Sequence, residues 1–545
     1  MLPENEIETP ASLSMDPFAG PWTKAEAAHL LKRTMFGPTN QQMLDAVANG
    51  MTATVTTLLQ VPVVDQPLTF DPAETIAPQG TTWINAVYPA NATESAAVEL
   101  ARVKSLGAWM MKRINTESLS IAEKMCLFWH NHFGVTASSD SRATYNYLML
   151  IRQHSLGNIK QLIKDMTIDP CMLQFLNGGT NTVYSPNENY ARELLELFTI
   201  GKGEQIGEGD YSTYTEQDVA AGARILTGYI VQGMRSSTEP TPYAVFDPLA
   251  PNVNLHDTGD KQLSYHFNDV VISNGGANEY ANYIDVIFSR PEVAEFLSRE
   301  LYKFFVNYDI TTIVAGEVIP VMAQTMIDNN YEVLPVLQQL FSSQHFYDEG
   351  LRGSLLRSPL DMMYGMLNAT ETYVDFGSLS QDSNMYLVLY WISENLGQAY
   401  AAPPSVAGWP AYYQAPAYYQ LWVNSTSIKT RFDVATAVTV FTGIPSGTDN
   451  LKINSLGFLN NLSNPANATQ VIDDMCDVLC PKPISAAQKL VLKNTLTDSQ
   501  GDTVWQNNYN LYAANPGNTS LSGPIEFRVN LVLNSIFKMP QFHTI

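Results

Sequence analysis

The chain has 545 residues, 45% hydrophobic and 10% aromatic, with Gly 32 and Pro 31; this excludes a peptide, a lone small module, global disorder and a collagen-like repeat, and allows roughly two to four domains. Acidic residues number 53 against 30 Lys and Arg, and the net charge of −23 repels a phosphate backbone, so nucleic acid and anionic membranes are set aside as partners. Only 15% of residues are charged, leaving Asn, Gln, Ser, Thr and Tyr to carry the surface polarity, a habit commoner in secreted than in cytosolic proteins.

The first segment, MLPENEIETPASLSMDPFAG, has neither a basic start nor an apolar core, so no signal peptide is expected in it, and residues 1–21 read as an N-terminal extension. Helical periodicity begins near Trp22, where TKAEAAHLLKRTMFG offers Thr23 as N-cap, Ala27, Leu30 and Leu31 on one face, and Gly37 past the end. Helices are then predicted at 93–113, 120–129, 159–166, 187–198, 215–227, 279–305, 309–346, 354–375, 428–442, 466–479, 485–496 and 523–537, with few segments of two-residue alternation. Two stretches interrupt the pattern: 231–275, turn-rich and read as an irregular insertion or small hairpin, and 376–425, rich in Pro and aromatics and read as a loop region. No stretch approaches 18 uninterrupted apolar residues, which excludes a spanning helix from the expected elements. The fold class expected is mainly α: a large multi-helix domain over 22–545 with a loop-rich insertion and few short strands. Cys476 and Cys480, one helical turn apart, are read as two buried thiols, with a disulfide or a soft-metal pair as the alternatives.

Candidate chemistry sits in five segments. In FWHNHFG, His130 and His132 are at i and i+2, about 200° apart on a continuous helix, so they share a metal only if the helix ends between them, which Gly134 permits; otherwise one caps the helix and the other packs on Trp129. In PNENYARELLELF, Glu188, Asn189, Arg192, Glu193 and Glu196 share one polar arc. That arc is either a solvated face stitched by Glu188–Arg192 and Arg192–Glu196 pairs, or carboxylates set against the two histidines in the way facing helices build metal and acid/base sites. Thr215 and Asp218 form a capping-box pattern at the next helix, and Arg224 is expected to pair with a carboxylate of the preceding helix. In the insertion, His256, Asp257, Asp260 and Lys261 gather in one turn, a functional candidate because loops carry sites, with a well-bonded Asp turn as the alternative. The aromatic run Trp409, Tyr412, Tyr413, Tyr418, Tyr419 and Trp422 either stacks sugar rings or forms a packed loop. No GxSxG, Walker A, HExxH or CxxCH pattern occurs.

HLLKRTMFGPT (29–39), FWHNHFG (128–134), PNENYARELLELFTIG (186–201), YTEQDVAAGARILTGY (214–229), LHDTGDK (255–261), RPEVAEFLSRELYKFFV (290–306) and PPSVAGWP (403–410) occur in this order. Together they resemble the bacterial family catalogued as domain of unknown function 1800, from about Ala28 to the C-terminus. The resemblance carries no assigned activity. It implies a bacterial protein, secreted or of the cell envelope, whose gene neighbours a sulfatase-like protein. The leading expectation is one polar pocket in which His130, His132 and Glu193 hold a divalent metal. Glu188, Glu193, Glu196, His256 and Asp257 then act as acid/base groups in a hydrolysis, and Arg192, Arg224, Lys261 and Trp409 bind substrate. The rival is a non-catalytic surface, glycan-binding or assembly protein whose polar motifs are structural.

Overall fold

Thr23 caps the helix Lys24–Thr34 as expected, and the Glu26 side chain returns the bond to the Thr23 backbone, completing a capping box. The computed structural model describes residues 12–247 and 254–545. The start of the expected N-terminal extension (1–11) and part of the insertion (248–253) lie outside the described residues. The architecture is mainly α, with four separate two-stranded antiparallel sheets among the described residues.

The helices that carry the motifs are Ala122–Phe133, Asn189–Glu193 running into a wider π turn at Leu194–Thr199, and Glu216–Ile225. The insertion pairs in two places, Tyr229–Gln232 with Tyr243–Phe246 and Lys261–Gln262 with Val271–Ile272. The single helix expected over 279–305 is two, Glu279–Ile287 and Pro291–Phe305. Pro291 lacks the N–H that a continuous helix needs there, and its fixed φ suits the first position of the second helix.

The stretch 376–425 is not all loop. Leu379–Asn395 is a 17-residue helix, capped by Ser378, whose side chain accepts from Gln381 N. Its apolar residues are spread around the axis, with Met385, Tyr386, Leu387 and Leu389 buried while Trp391 stays 48% exposed, so periodicity does not betray it. It packs along Ala92–Asn115, with Leu387 and Tyr390 beside Gly107. The remainder of the stretch folds inward. Trp409 is 1% exposed and Tyr412, Tyr419 and Trp422 are buried, their rings in edge contact around Tyr412.

Buried apolar side chains form one connected core from Ala27 to Ile545. The first helix is tied to distant segments through backbone oxygens: Arg33, 2% exposed, donates to Val306 O at 2.9 Å and Leu351 O at 2.5 Å. All four cysteines are free and buried. Among the described residues, no helix is long and apolar enough to cross a membrane.

Candidate functional site

Gly134 ends the HNHFG helix in the left-handed conformation (φ 58°), its N–H closing on His130 O at 3.1 Å. This end docks on 403–410 with almost no space between backbones. A Cβ on Gly134 would lie 2.1 Å from Val406 O, and one on Gly408 2.5 Å from Asn131 O. Asn131 Oδ1 accepts from Trp409 N at 2.9 Å, so the motif asparagine pins PPSVAGWP to the helix.

The two histidines look to different sides. His130 is fully buried, with Nδ1 3.1 Å from Tyr147 Oη, the Tyr400 and Trp409 rings edge-on to it, and Nε2 without a hydrogen-bond partner among the described residues. Burial pushes its pKa down to about 3, so the ring is neutral. His132 donates from Nε2 to Phe198 O at 3.0 Å and packs edge-on to Trp129. Burial lowers its pKa too, offset in part by that carbonyl and the charge of Glu300. Neither imidazole caps the helix, and among the described residues neither makes a hydrogen bond or ion pair with Glu193.

On the neighbouring helix, Arg192 binds Glu188 at 3.0 Å and grips Glu216 with two bonds, 2.8 and 2.7 Å. The Arg192–Glu196 pair expected at helical spacing does not form. The backbone widens into the π turn at Leu194, and Glu196 instead meets Lys202 at 2.9 Å and Tyr214 Oη at 3.0 Å. Hydrogen bonding to Glu216 holds the Arg192 guanidinium charged, and the same contact depresses the Glu216 carboxyl. Glu193, half-buried, makes no ion pair among the described residues, and burial with the nearby Glu196 raises its pKa against the pull of Arg192 and Lys202.

Thr215 and Asp218 close their capping box, and buried Asp218 also accepts from Ser264 N and Oγ at 2.7 Å each, anchoring the insertion to the helix start. Arg224 does not pair with the preceding helix; its Nε and Nη2 reach Asp257 at 2.7 and 3.2 Å, which lowers the Asp257 pKa. Behind this pair lies a sealed network. His256 Nε2 is 3.0 Å from Glu279 Oε2, and Lys261 Nζ is 2.5 Å from Glu279 Oε1, with Lys261 and Glu279 both 0% exposed. Gly275 N adds a bond to Glu279 at 3.0 Å, and His256 Nδ1 donates to Thr227 O at 2.9 Å. Burial raises the Glu279 pKa, but His256, Lys261 and Gly275 together pull it lower than its ordinary value. Glu279 escapes sequence reading. Its only local signal is an acid in the first turn of a helix after Gly275 and Gly276, and nothing in the spacing ties it to His256.

The motifs therefore adjoin one another. His132 reaches the π turn, Arg192 the Glu216 helix and Arg224 the loop at 255–261. Their side chains are spent on each other and on backbone carbonyls. Among the described residues, no group of three or more His, Cys, Asp or Glu side chains is placed to hold a metal ion. Trp409, named among the substrate-binding residues in an aromatic run that either stacks sugar rings or forms a packed loop, is interior and in edge contact with His130.

Fold and site define a class: a large mainly helical protein whose signature polar segments interlock through half-exposed ion pairs, one buried charged network and close backbone contacts. The chain belongs to the family described as Protein of unknown function (DUF1800), whose model matches residues 29–544, nearly its whole length. No curated protein and no solved structure matches the chain.

Proposed function

We propose that this is a non-catalytic binding or assembly protein that works through its outer surface, its polar motifs acting as internal clamps. The observation that carries this reading is the Lys261–Glu279–His256 network. A charged triad without exposure presents no group to a substrate, whereas it joins the insertion firmly to the helix Glu279–Ile287. The same construction recurs outside the motifs, in the fully buried pairs Arg102–Glu74 at 2.6 Å and Arg142–Asp140 at 2.7 Å. The low charge content and uncharged polar residues suit an extracellular or envelope setting. There a sulfatase-like protein or a polysaccharide is the partner class to try first.

A second reading is favoured by one group. Glu193 has no ion pair among the described residues, is half-buried, and holds its proton more readily than an ordinary carboxyl, the properties of a general acid. In that reading the Glu188–Glu216 face hydrolyses a polar substrate, with or without a metal. The test is a panel of ester, phosphodiester, sulfate-ester and glycoside substrates, each with and without added divalent metal, run on the wild-type protein beside Glu193→Gln. The binding reading expects no turnover in either. Turnover lost in a folded Glu193→Gln variant would replace it with the hydrolytic one.

A further inference from the structure

The helices Ala486–Thr497, Asp502–Ala514 and Thr519–Phe537 meet around a half-open cavity of about 180 Å³, which none of the motif residues described above lines. A water takes about 30 Å³ of liquid, so the cavity has room for about six waters, enough for one small ring. Drug-sized ligands need about 300 Å³ or more. The floor is apolar: Leu496, Trp505 and Ile525, all buried, line it. The Trp505 N–H is already bound to Pro465 O at 3.0 Å, so the indole offers the cavity carbon alone.

The rim is polar and only partly engaged. Asp498 Oδ2 meets Arg528 Nη2 at 2.6 Å and Gln500 Nε2 at 3.4 Å. Among the described residues, Asp498 Oδ1, Arg528 Nε and Nη1, the Thr497 hydroxyl and the Asn508 amide make no hydrogen bond, and all four residues line the cavity. The turn that sets the carboxylate against Arg528 is held at a cost: Asp498 and Ser499 stand at φ 55° and 57°, a conformation that residues with a Cβ resist. Charge then narrows the ligand. The acid and the base on the rim cancel, and a chain of net charge −23 repels a free anion. A cation would face Arg528. A neutral molecule with adjacent hydroxyls satisfies both without parting the pair, one hydroxyl donating to Asp498 Oδ1 and the next accepting from Arg528.

We propose that this cavity binds one neutral pyranose ring, its hydroxyls on the Asp498, Arg528, Thr497 and Asn508 edge and its C–H face on Trp505 and Ile525. The inference rests on the binding reading above and gives it a ligand class and a place on the molecule.

Methyl glucoside, methyl galactoside, methyl mannoside and N-acetylglucosamine are titrated into the full-length protein and followed by saturation-transfer NMR, with glycerol, glycine and inorganic phosphate as controls. The proposal expects saturable binding of at least one sugar and of no control. Asn508→Ala, at an exposed helical position that suits Ala, and Asp498→Asn, which keeps a residue tolerant of the left-handed turn, each weaken that binding by about tenfold, as loss of one hydrogen bond does, with unchanged circular dichroism. Should Asp498→Asn not fold, Asn508→Ala decides. No sugar bound, a control bound as well as the sugars, or sugar binding indifferent to both variants overturns the proposal. Turnover lost in Glu193→Gln overturns the binding reading, and absence of sugar binding overturns this site alone, so the two fail separately.

Discussion

Replacing Glu279 with Gln is the sharpest test of the clamp. The change keeps the volume but leaves Lys261, 0% exposed, as a buried ammonium without its carboxylate, and puts one amide oxygen where two carboxylate oxygens served Lys261 and His256 Nε2. Breaking a buried pair by removing one partner costs about 3–5 kcal/mol. If that loss acts on local opening of the insertion, amide exchange across 254–264 and 271–279 accelerates by about two to four powers of ten, since each 1.4 kcal/mol is tenfold. Hydrogen exchange read by mass spectrometry resolves those peptides from the rest of the chain. The double variant Lys261→Met, Glu279→Gln removes the stranded charge and recovers much of the protection, because an apolar replacement of the whole pair is far cheaper than half of it. Unchanged exchange in the single variant, or acceleration spread evenly over the molecule, would refute the idea that this triad holds the insertion.

Two histidines give opposite pH responses. Burial alone would lower the His256 pKa, but Glu279 and the Thr227 carbonyl outweigh it and raise it past the ordinary 6.5. The stability His256 adds is therefore complete below the unfolded value and lost as pH rises through the raised one, so proteolysis of the insertion should quicken on that side and lose its pH dependence in His256→Gln. His130, depressed to about 3, behaves conversely: its contribution is present above 6.5 and lost as pH falls toward about 3, and melting curves of His130→Gln should be flatter across that window. Gly134→Ala sets a Cβ 2.1 Å from Val406 O at a positive φ, so the 403–410 segment must move away; Tm should fall and the Trp409 fluorescence shift red, while an unaltered spectrum would show that the backbones are not in contact. Trp409→Ala should cost about 3–5 kcal/mol in a denaturant melt, as an interior aromatic does, whereas a solvent-facing ring would cost within about 0.5 kcal/mol.

What was legible in the sequence was local. The Thr23 N-cap and the Thr215–Asp218 box follow from local spacing alone, and helices with one apolar stripe follow from their period. The Leu379–Asn395 helix was hidden because apolar residues lie around its whole circumference, and the 279–305 break because the period continues across Pro291. The site was legible as a set of segments but not as a set of partners. Arg224 chooses Asp257 and Glu196 chooses Lys202 for reasons of tertiary placement and of a π turn, neither of which spacing encodes. Trp409 illustrates the ambiguity of an uncharged aromatic stretch. The same composition serves a stacking surface and an interior plug, and only the approach of Gly134 and Gly408 decides for the plug.

The moorings of the first helix bear on how the protein is made. Lys32 and Arg33 find their acceptors hundreds of residues later, at Val306, Leu351, Asp477 and Cys480. A ribosome-bound chain emerging from its N-terminus holds these cations ready long before their acceptors exist, and contacts of such sequence separation are slow to close. The helix Lys24–Thr34 is thus translated well before its acceptors and locked only once they arrive, and a chain halted before Asp477 leaves the Lys32 ammonium without either of its carbonyls.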